Sequence, residues 1–482
     1  MKPDQDHPLN TRYVWMVSLV AALGGLLFGY DWVVIGGAKP FFEPFFHLDQ
    51  EAERGWANSC ALLGCLAGAV FTGGLSDRFG RKRLLLLAAV LFASSSILTG
   101  WAGSFSSFVF WRITGGVAIG MASALSPMYI AEIAPAHIRG RLVSLNQFTI
   151  VIGVLGAQII NWLIAEEVPD GATADLIRTS WNGQLGWRWM FTVVAIPATV
   201  FFLGSLVIPE SPRWLVKNGA TERARDILSR IGGARYAEME VSMIRETIRA
   251  EEVKQVHFRE LFAPGIRKVL WIGVVLAVLQ QWSGINVIFN YAEEIFTEAG
   301  YGVSTILFTI VITGIVNLLS TLVALGTVDR FGRRVLLLVG CAGVALFHTL
   351  IGLAYFFHWT GPVIVTFVLL AIASYAVSLA PVTWVLIAEI FPNRIRGAAV
   401  SVAVAALWMA CFALTYTFPL LNSLLGASGT FWLYAAICAG GLIFVAVRVP
   451  ETKGKSLEDI EADFVGEQLS VGANFPPTNR NG

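Results

Sequence analysis

The chain alternates long apolar runs with short polar connections along almost its whole length. The first run lies near residues 13–36 and contains one carboxylate, Asp31. The further runs fall near 56–76, 84–101, 107–131, 142–165, 188–208, 268–296, 305–327, 335–357, 362–389, 397–421 and 429–448. Since about twenty apolar residues in a helix cross a bilayer, the pattern predicts an all-α membrane protein with about twelve transmembrane helices in two groups of six.

Polar segments divide the chain further. In the central one, charged and apolar residues alternate with a helical period, which predicts short amphipathic helices outside the membrane. We therefore expect an N-terminal tail at 1–12, a first six-helix half at 13–208, linker helices at 209–267, a second half at 268–448 and a C-terminal tail at 449–482.

Composition supports a membrane protein and excludes some partners. Hydrophobic residues make up 56% and charged residues 14% of the chain, against about 25% charged in ordinary soluble domains. The net charge is +1 and no polybasic stripe is present, which argues against a nucleic-acid partner. The five cysteines lie in apolar runs without metal-ligand spacing, so we expect small core residues and neither a metal nor another cofactor.

Basic residues predict the orientation. They crowd the central segment and the connections at 77–83, 137–141, 329–334 and 393–397, whereas the connections on the other side hold few, among them Lys39, Arg54 and Arg178. By the positive-inside rule, both termini and the linker helices are expected in the cytoplasm. The first run is too long for a signal peptide and lacks a small-residue cleavage site, so we keep it as a span.

Three pairs of motifs repeat in the same order, about 250 residues apart. They are GGLSDRFGRK at 73–82 and LGTVDRFGRR at 325–334, SPMYIAEIAPAHIRGRLVS at 126–144 and APVTWVLIAEIFPNRIRGAAVS at 380–401, and PESPR at 209–213 and PETKG at 450–454. Such ordered repetition indicates a duplicated six-helix unit. Two such halves that face each other can enclose a cavity that opens to either side.

Together these motifs resemble the sugar porter family of the major facilitator superfamily, from about Asp31 to Glu451. Within it the sequence is most similar to bacterial xylose/proton and arabinose/proton symporters. The resemblance implies a monomeric proton-coupled symporter in the bacterial inner membrane that imports a pentose or hexose by alternating access. A facilitative uniporter and a non-transporting sugar sensor are the alternatives. A membrane enzyme is not expected, because no nucleophile–base pair appears at membrane level.

The resemblance also implies an ion-pair latch at the basic connections, closed when the cavity faces outward and broken when it faces inward. Its members would be Asp77, Arg78, Arg81, Glu132, Arg139, Asp329, Arg330, Arg333, Arg334, Glu389 and Arg396. Some of these charges could instead only fix the topology. Gly73 and Gly74 lack side chains, and we expect two helices to approach closely there.

Asp31 is the first candidate for chemistry. A carboxylate inside a span costs roughly 2.5–3.5 kcal/mol on insertion scales and usually serves ions or protons. Arg112 is the other ionised group we place well inside a run, and each residue lies about five positions from the outer end of its helix, so the two could pair. Because arginine does not deprotonate, the pair can change charge only through Asp31. The resemblance agrees, since proton-coupled relatives carry Asp here and facilitators Asn. A purely structural carboxylate is the alternative.

Amide and aromatic side chains indicate a sugar site, because a sugar needs hydrogen-bond donors, acceptors and an aromatic platform. Gln280 and Asn286 would point about 120° apart on a straight helix, so they converge only if the helix breaks near Ser283–Gly284. The resemblance assigns sugar contacts to Gln147, Gln280, Gln281, Asn286, Asn317 and Trp384, with Trp408 lining the pocket. Amides that bond helix to helix are the alternative.

Three departures from the relatives concern the sugar. Leu407 stands where xylose symporters have Gln, Cys411 where relatives have Asn, and Asn290 where they have Tyr. The wall formed by the eleventh helix is therefore less polar, so either a pentose or deoxy sugar faces Leu407 with carbon, or a hexose sits shifted toward Gln147 and the seventh helix. The overall resemblance favours a pentose over a hexose. His348 and His358 follow no ligand spacing and are expected to be packing residues.

Overall fold

The computed structural model describes residues 9–169, 171–252, 261–391 and 395–453, leaving aside the side chains of 250–252, 264–265, 329 and 388. The ends of both predicted tails and residues 253–260 of the predicted linker lie outside this part. In chain order the helices are α1 Thr11–Phe46, α2 Glu51–Phe79, α3 Arg81–Gly100, α4 Phe105–Ile133, α5 Ala136–Ile164, α6 Ala174–Thr179, α7 Trp187–Thr192, α8 Ala195–Val207, α9 Pro212–Lys217, α10 Thr221–Glu252, α11 Pro264–Trp282, α12 Ile285–Asn290, α13 Ala292–Glu298, α14 Val303–Phe331, α15 Arg333–Phe356, α16 Pro362–Val377, α17 Leu379–Ile390 and α18 Arg396–Arg448. A π-helical turn, Asn182–Gly186, precedes α7.

Eleven helical stretches of the described residues are long and apolar enough to cross a membrane. The last, α18, has 53 residues and is broken at Gly426 (φ 68°, ψ 171°). As a straight helix it would measure about 80 Å, far more than a bilayer. Instead, Trp282 donates to the Ala410 carbonyl (2.9 Å) while Cys438 lies 3.7 Å from the Ser283 carbonyl. Distant parts of α18 thus meet adjacent residues of α11, so α18 folds back as two antiparallel spans. The predicted twelve-helix, all-α fold is confirmed.

The seventh predicted run, 268–296, is broken into α11, α12 and α13. The first break lies at Ser283 and Gly284, where Gly284 has φ 84°. A Cβ on Gly284 would stand 2.8 Å from the Tyr434 ring, so both backbone conformation and space require glycine here. The break predicted near Ser283–Gly284 is confirmed. The run 362–389 is likewise interrupted, at Ser378 between α16 and α17.

Close packing within each half depends on small residues. In the first half, α2 crosses α4 with the Cα of Gly116 against the Ala61 carbonyl, where a Cβ would collide. In the second half, Gly340 of α15 lies against Ser378 in the same way. Helices α9 and α10 occupy the predicted linker, and the backbone N–H of Asn10 donates to the Ile231 carbonyl (2.7 Å) at the start of α1.

The two ends of the bundle differ in how the halves meet. We call the end that carries Arg81 and Arg333 the basic end, and the opposite one, with Lys39 and Glu294, the far end. At the far end Trp56 packs on Phe412 (6.3 Å between ring centroids), the Val168 N–H donates to Ser304 (2.9 Å), and Gly36 lies against the Phe289 carbonyl. The halves are therefore in contact at the far end.

The glycine face of α2 at the basic end is open instead. A Cβ on Gly73 or Gly74 would meet no atom of the described residues within 4 Å. The expected close helix approach at these glycines is therefore wrong for this conformation. Both glycines are exposed among the described residues.

Candidate functional site

Asp31 and Arg112 meet inside the first half. Helix α1 presents Asp31 to α4, and Arg112 Nη1 lies 3.0 Å from Asp31 Oδ1. Both residues are almost fully enclosed, at 4% and 3% exposure. Asp31 and Arg112 thus form the ion pair that the equal depth of the two residues in their helices allowed.

The two oxygens of Asp31 have different surroundings. Oδ1 binds Arg112, whereas Oδ2 has no hydrogen-bond partner among the described residues and lies near Gly115, where a Cβ would be 3.5 Å away. The guanidinium of Arg112 lies 5.3 Å from the Phe191 ring. Phe191 belongs to a buried aromatic group with Phe42 and Phe108. Because Oδ1 binds Arg112 and Oδ2 has no such partner, Oδ2 is the atom that can take a proton without displacing the arginine contact.

Three amides converge at the break in the second half. The Asn286 side chain donates to Gln281 Oε1, Gln281 Nε2 donates to Gln280 Oε1 (2.8 Å), and Gln280 Nε2 donates to the Ala380 carbonyl (3.4 Å). All three amides are at most 9% exposed. The break between α11 and α12 turns Asn286 back toward Gln281, so the predicted convergence occurs.

His348 supports this break. The Ser283 carbonyl loses its helical partner where α11 ends, and His348 Nε2 lies 2.7 Å from it. A carbonyl can only accept, so Nε2–H is the donor. His348 is fully buried and its ring lies 5.5 Å from that of Phe431. His348 is therefore a buried packing residue, as expected, and it also binds the free carbonyl. A histidine in an apolar run was the available signal, but its partner is 65 residues away in sequence.

Trp408 lies between the halves. Its ring is 6.0 Å from Phe28 and 5.8 Å from Trp32, both on α1, and it is 2% exposed. The indole Nε1 has no hydrogen-bond partner among the described residues. Sequence reasoning missed Phe28 and Trp32, although their four-residue spacing around Asp31 puts them on one face of α1.

The residues that depart from the relatives also lie near this site. Cys411 Sγ is 3.9 Å from the Asn286 amide nitrogen, so α18 does reach the amide cluster. Leu407 is buried at 2% exposure. Trp384 is more open, at 38%, and Gln147 and Asn317 are half-buried. Among the described residues, no hydrogen bond joins these last three side chains to the cluster, so their sugar contacts stay predictions.

The predicted latch residues form contacts within their own halves. Arg81 binds Glu132 (3.0 Å) and Asp77 (3.2 Å), and Arg333 binds Glu389 (3.0 Å). Arg139 donates to the Ala134 carbonyl (3.3 Å) and Arg396 to that of Phe391 (3.1 Å). Arg78 lies 5.2 Å from the Phe79 ring, while the Arg330 carbonyl accepts from Lys453 and the Arg334 side chain donates to the Ala446 carbonyl. The Asp329 side chain lies outside the described part.

Two carboxylates that sequence reasoning missed complete the basic end. Glu210 accepts from the backbone N–H groups of Arg81 (2.9 Å) and Lys82 (3.1 Å), at the start of α3. Glu451 accepts in the same way from Arg333 (2.9 Å) and Arg334 (3.1 Å), at the start of α15. A carboxylate at a helix N-terminus satisfies free N–H groups and the helix dipole. The signal was present, since PES and PET recur at equivalent places in the two halves.

The pKa of Glu451 reflects these contacts. Burial alone would raise it, but the N–H groups of Lys453, Arg333 and Arg334 outweigh burial, and the pKa of this carboxyl lies below its usual value. Glu451 is therefore ionised at neutral pH and holds the loop that precedes α15.

One further prediction is corrected. Lys39 does not lie in a polar connection; α1 continues to Phe46, and Lys39 is 1% exposed within it. Besides Asp31 and Arg112, Lys39 is thus a further buried charge within a span. The residues around Lys39 are described below.

Twelve spans in two repeated halves, with a buried ion pair in one and an amide cluster in the other, define a multi-pass membrane transporter. A family model described as "Sugar (and other) transporter" matches residues 17–464. The chain belongs to this family, as its motifs predicted.

Named relatives are similar over nearly their whole length. The chain is 40% identical to the D-xylose-proton symporter of Escherichia coli (strain K12), over 94% of this chain and 96% of that protein. It is 39% identical to the arabinose-proton symporter of Bacillus subtilis, over 93% and 94%. A solved inward open conformation of the E. coli xylose transporter XylE has a TM-score of 0.82 at 38% identity, covering 94% of this chain and 100% of that one. XylE bound to 6-bromo-6-deoxy-D-glucose has a TM-score of 0.76 at 37% identity, covering 94% and 100%.

Proposed function

We propose that this chain is a proton-coupled monosaccharide symporter that imports a pentose or hexose by alternating access. The observation that carries the proposal is the enclosed Asp31–Arg112 pair beside an unpartnered carboxylate oxygen. Such a group inside a span is expensive and is typical of proton-driven transporters. The names of the relatives, which include xylose- and arabinose-proton symporters, support the same function.

Proton coupling follows from the charge of Asp31. The ionised carboxylate attracts Arg112 and holds α1 against α4, whereas a proton on Oδ2 removes that attraction. Helix α1 also carries Phe28 and Trp32, which pack on Trp408 of the other half. The protonation state of Asp31 therefore biases a contact between the halves, and this is the link between proton and sugar.

The amides of Gln280, Gln281 and Asn286 recognise the sugar. In this structure Asn286, Gln281 and Gln280 bond to one another and to a backbone carbonyl. A sugar can replace these bonds, since each amide both donates and accepts. Gln147, Asn317, Trp384 and Trp408 would complete the pocket from the other helices.

The apolar side chain of Leu407 favours a pentose. A hexose hydroxyl directed at it would lose a hydrogen bond, at roughly 1–3 kcal/mol or about tenfold or more in affinity. Leu407→Gln should therefore improve transport of hexoses relative to pentoses. An unchanged ranking across a panel of monosaccharides would remove α18 from the selectivity site.

The conformation and its orientation belong to the same proposal. We place the basic end and both termini in the cytoplasm of a bacterium and the far end outside its inner membrane. The closed far end and open glycine face of α2 then correspond to an inward-facing state, in which the latch arginines bind within their own halves. We propose that the latch arginines engage the opposite half when the basic end closes. We also propose that the protein is a monomer and that its two halves comprise residues 13–208 and 268–448.

Uptake into proteoliposomes tests the function. Radiolabelled xylose, arabinose and glucose are offered with and without an inward proton gradient. A symporter accumulates its sugar above equilibrium and loses the accumulation when an uncoupler is added. Equilibration that ignores the gradient would indicate a facilitative uniporter, and sugar binding without flux would indicate a sensor.

A further inference from the structure

Lys39 is a buried cation at the far end. Its side chain is 1% exposed, and the ammonium lies 3.7 Å from a carboxylate oxygen of Glu43 and 3.7 Å from one of Glu293, and contacts Glu294 as well. It also lies 4.9 Å from the centre of the Tyr291 ring. A lysine is enclosed in this way only when opposite charge surrounds it. This cluster is separate from the Asp31 pair, which lies eight residues earlier on α1, about 12 Å along the helix.

The cluster joins the two halves. Lys39 and Glu43 belong to α1, whereas Glu293 and Glu294 begin α13 in the second half. On the first-half side, Arg54 approaches Glu43 to 3.7 Å and Asn58 donates to it at 3.5 Å. The Glu293 and Glu294 side chains are 26% and 27% exposed, so they form the outer edge of the cluster. The ion pairs of Lys39 with these two glutamates therefore cross the boundary between the halves.

Backbone contact brings these charges together. Gly36 lies against the Phe289 carbonyl, and a Cβ there would be 3.5 Å from the Asn290 Cα. One turn further along α1, Lys39 reaches Tyr291, whose hydroxyl donates to the Thr415 carbonyl at 2.7 Å. The contact excludes water from the ammonium, which strengthens its attraction to the carboxylates.

We propose that Lys39 is the gating residue of the far end. Its ion pairs with Glu293 and Glu294 hold α1 against α13 in this conformation and separate when the far end opens. Glu43, one turn away on the same helix, remains beside Lys39 in the open state, and water solvates the freed glutamates. The cluster therefore sets the balance between the two conformations. This inference rests on the proposed alternating access.

A distance measurement across the far end tests the gate without any sugar. Spin labels at Asp49→Cys and Thr297→Cys, on exposed positions of the two halves, report far-end opening, and the five native cysteines are buried. Lys39→Gln should raise the ratio of open to closed distances about tenfold or more, since it leaves carboxylates facing one another without their cation. Arg178→Gln is the control, because it removes a far-end ion pair with Asp175 that lies within one half (3.2 Å).

Rescue distinguishes a gate from a merely structural lysine. The exchanged pair Lys39→Glu with Glu294→Lys should return the distances toward those of the unmodified chain. If Lys39→Gln does not fold, Glu294→Gln takes its place and should shift the distances in the same direction, since it weakens the same crossing pair. Distances that stay unchanged in the folded variants would overturn the gate. Because no sugar is present, that result is independent of the uptake assay that tests the symporter.

Discussion

The two halves of the bundle share one repeat but bury different chemistry at their centres. The first half encloses a charged pair, Asp31 and Arg112, whereas the second encloses the neutral amides Gln280, Gln281 and Asn286. At the basic end the halves are nearly identical, with a carboxylate on the first N–H groups of α3 and of α15. We call these two capped helix starts, Glu210 at α3 and Glu451 at α15, the end modules. The end modules are alike in the two halves, whereas the centres differ. We infer that one half changes charge while the other recognises hydroxyl groups.

Helix continuity explains part of this divergence. Helix α1 runs unbroken from Thr11 to Phe46 and fixes Asp31 against a neighbouring helix. The corresponding run of the second half breaks at Gly284 and again at Tyr291. A broken helix can turn several amides toward one point, which a straight helix does not allow. The substitutions described next test this difference between the two halves, and those with the larger expected effect come first.

The largest effect is expected from Asp31→Asn, which removes the buried carboxylate of the first half and leaves the Arg112 cation without its ionised partner. Accumulation of sugar driven by a pH gradient should be abolished, because an amide cannot carry the proton. Sugar binding and exchange should survive, since the shape is kept. Gradient-driven uptake in proteoliposomes is the measurement, with the exposed Asp175→Asn as the matched control. Undiminished uphill transport would remove Asp31 from the coupling.

Gln281→Leu tests the amide cluster. Gln281 bonds both Asn286 and Gln280, so its loss removes one donor and one acceptor from the site. Sugar affinity should fall roughly tenfold to a hundredfold, the equivalent of about 1–3 kcal/mol. Binding is followed by calorimetry, and Gln184→Leu, on the exposed turn before α7, is the control. Equal affinities in the two variants would place the sugar elsewhere.

His348→Leu tests whether the break itself needs its hydrogen bond. The Ser283 carbonyl would lose its nitrogen donor and keep only the weak donor Cys438 Sγ (3.7 Å), at about 1–2 kcal/mol of stability. We expect a lower Tm and a sugar affinity reduced by about fivefold or more, with proton coupling retained. His348→Gln keeps a donor and should recover much of the affinity, and His137→Leu, at an exposed helical position of α5, is the control. A lower Tm with unchanged affinity would limit His348 to a structural role.

The smallest effects concern the two end modules. Glu210→Gln and Glu451→Gln should each cost about 0.5–1 kcal/mol, since both carboxylates are partly exposed and screened. Because the pKa of Glu451 in the folded protein lies below its usual value, its contribution is complete at neutral pH. It is lost as the pH falls through that lowered pKa. Thermal unfolding of the Glu451→Gln variant should accordingly be less sensitive to acid than that of the unmodified chain. Unequal effects at neutral pH would show that the end modules differ despite their shared geometry.

The amino-acid sequence alone is enough to predict the number of spans, the repeat, the break near Gly284 and the depth of Asp31 and Arg112. These features are local or periodic, and a bilayer permits few other solutions for apolar runs of this length. The tertiary structure alone decided the partners of Lys39, His348 and Glu451, because their contacts join segments far apart in the chain. It also decided which end of the bundle is closed, since two packings of the same halves differ by only a few kcal/mol and no single run of residues specifies that difference.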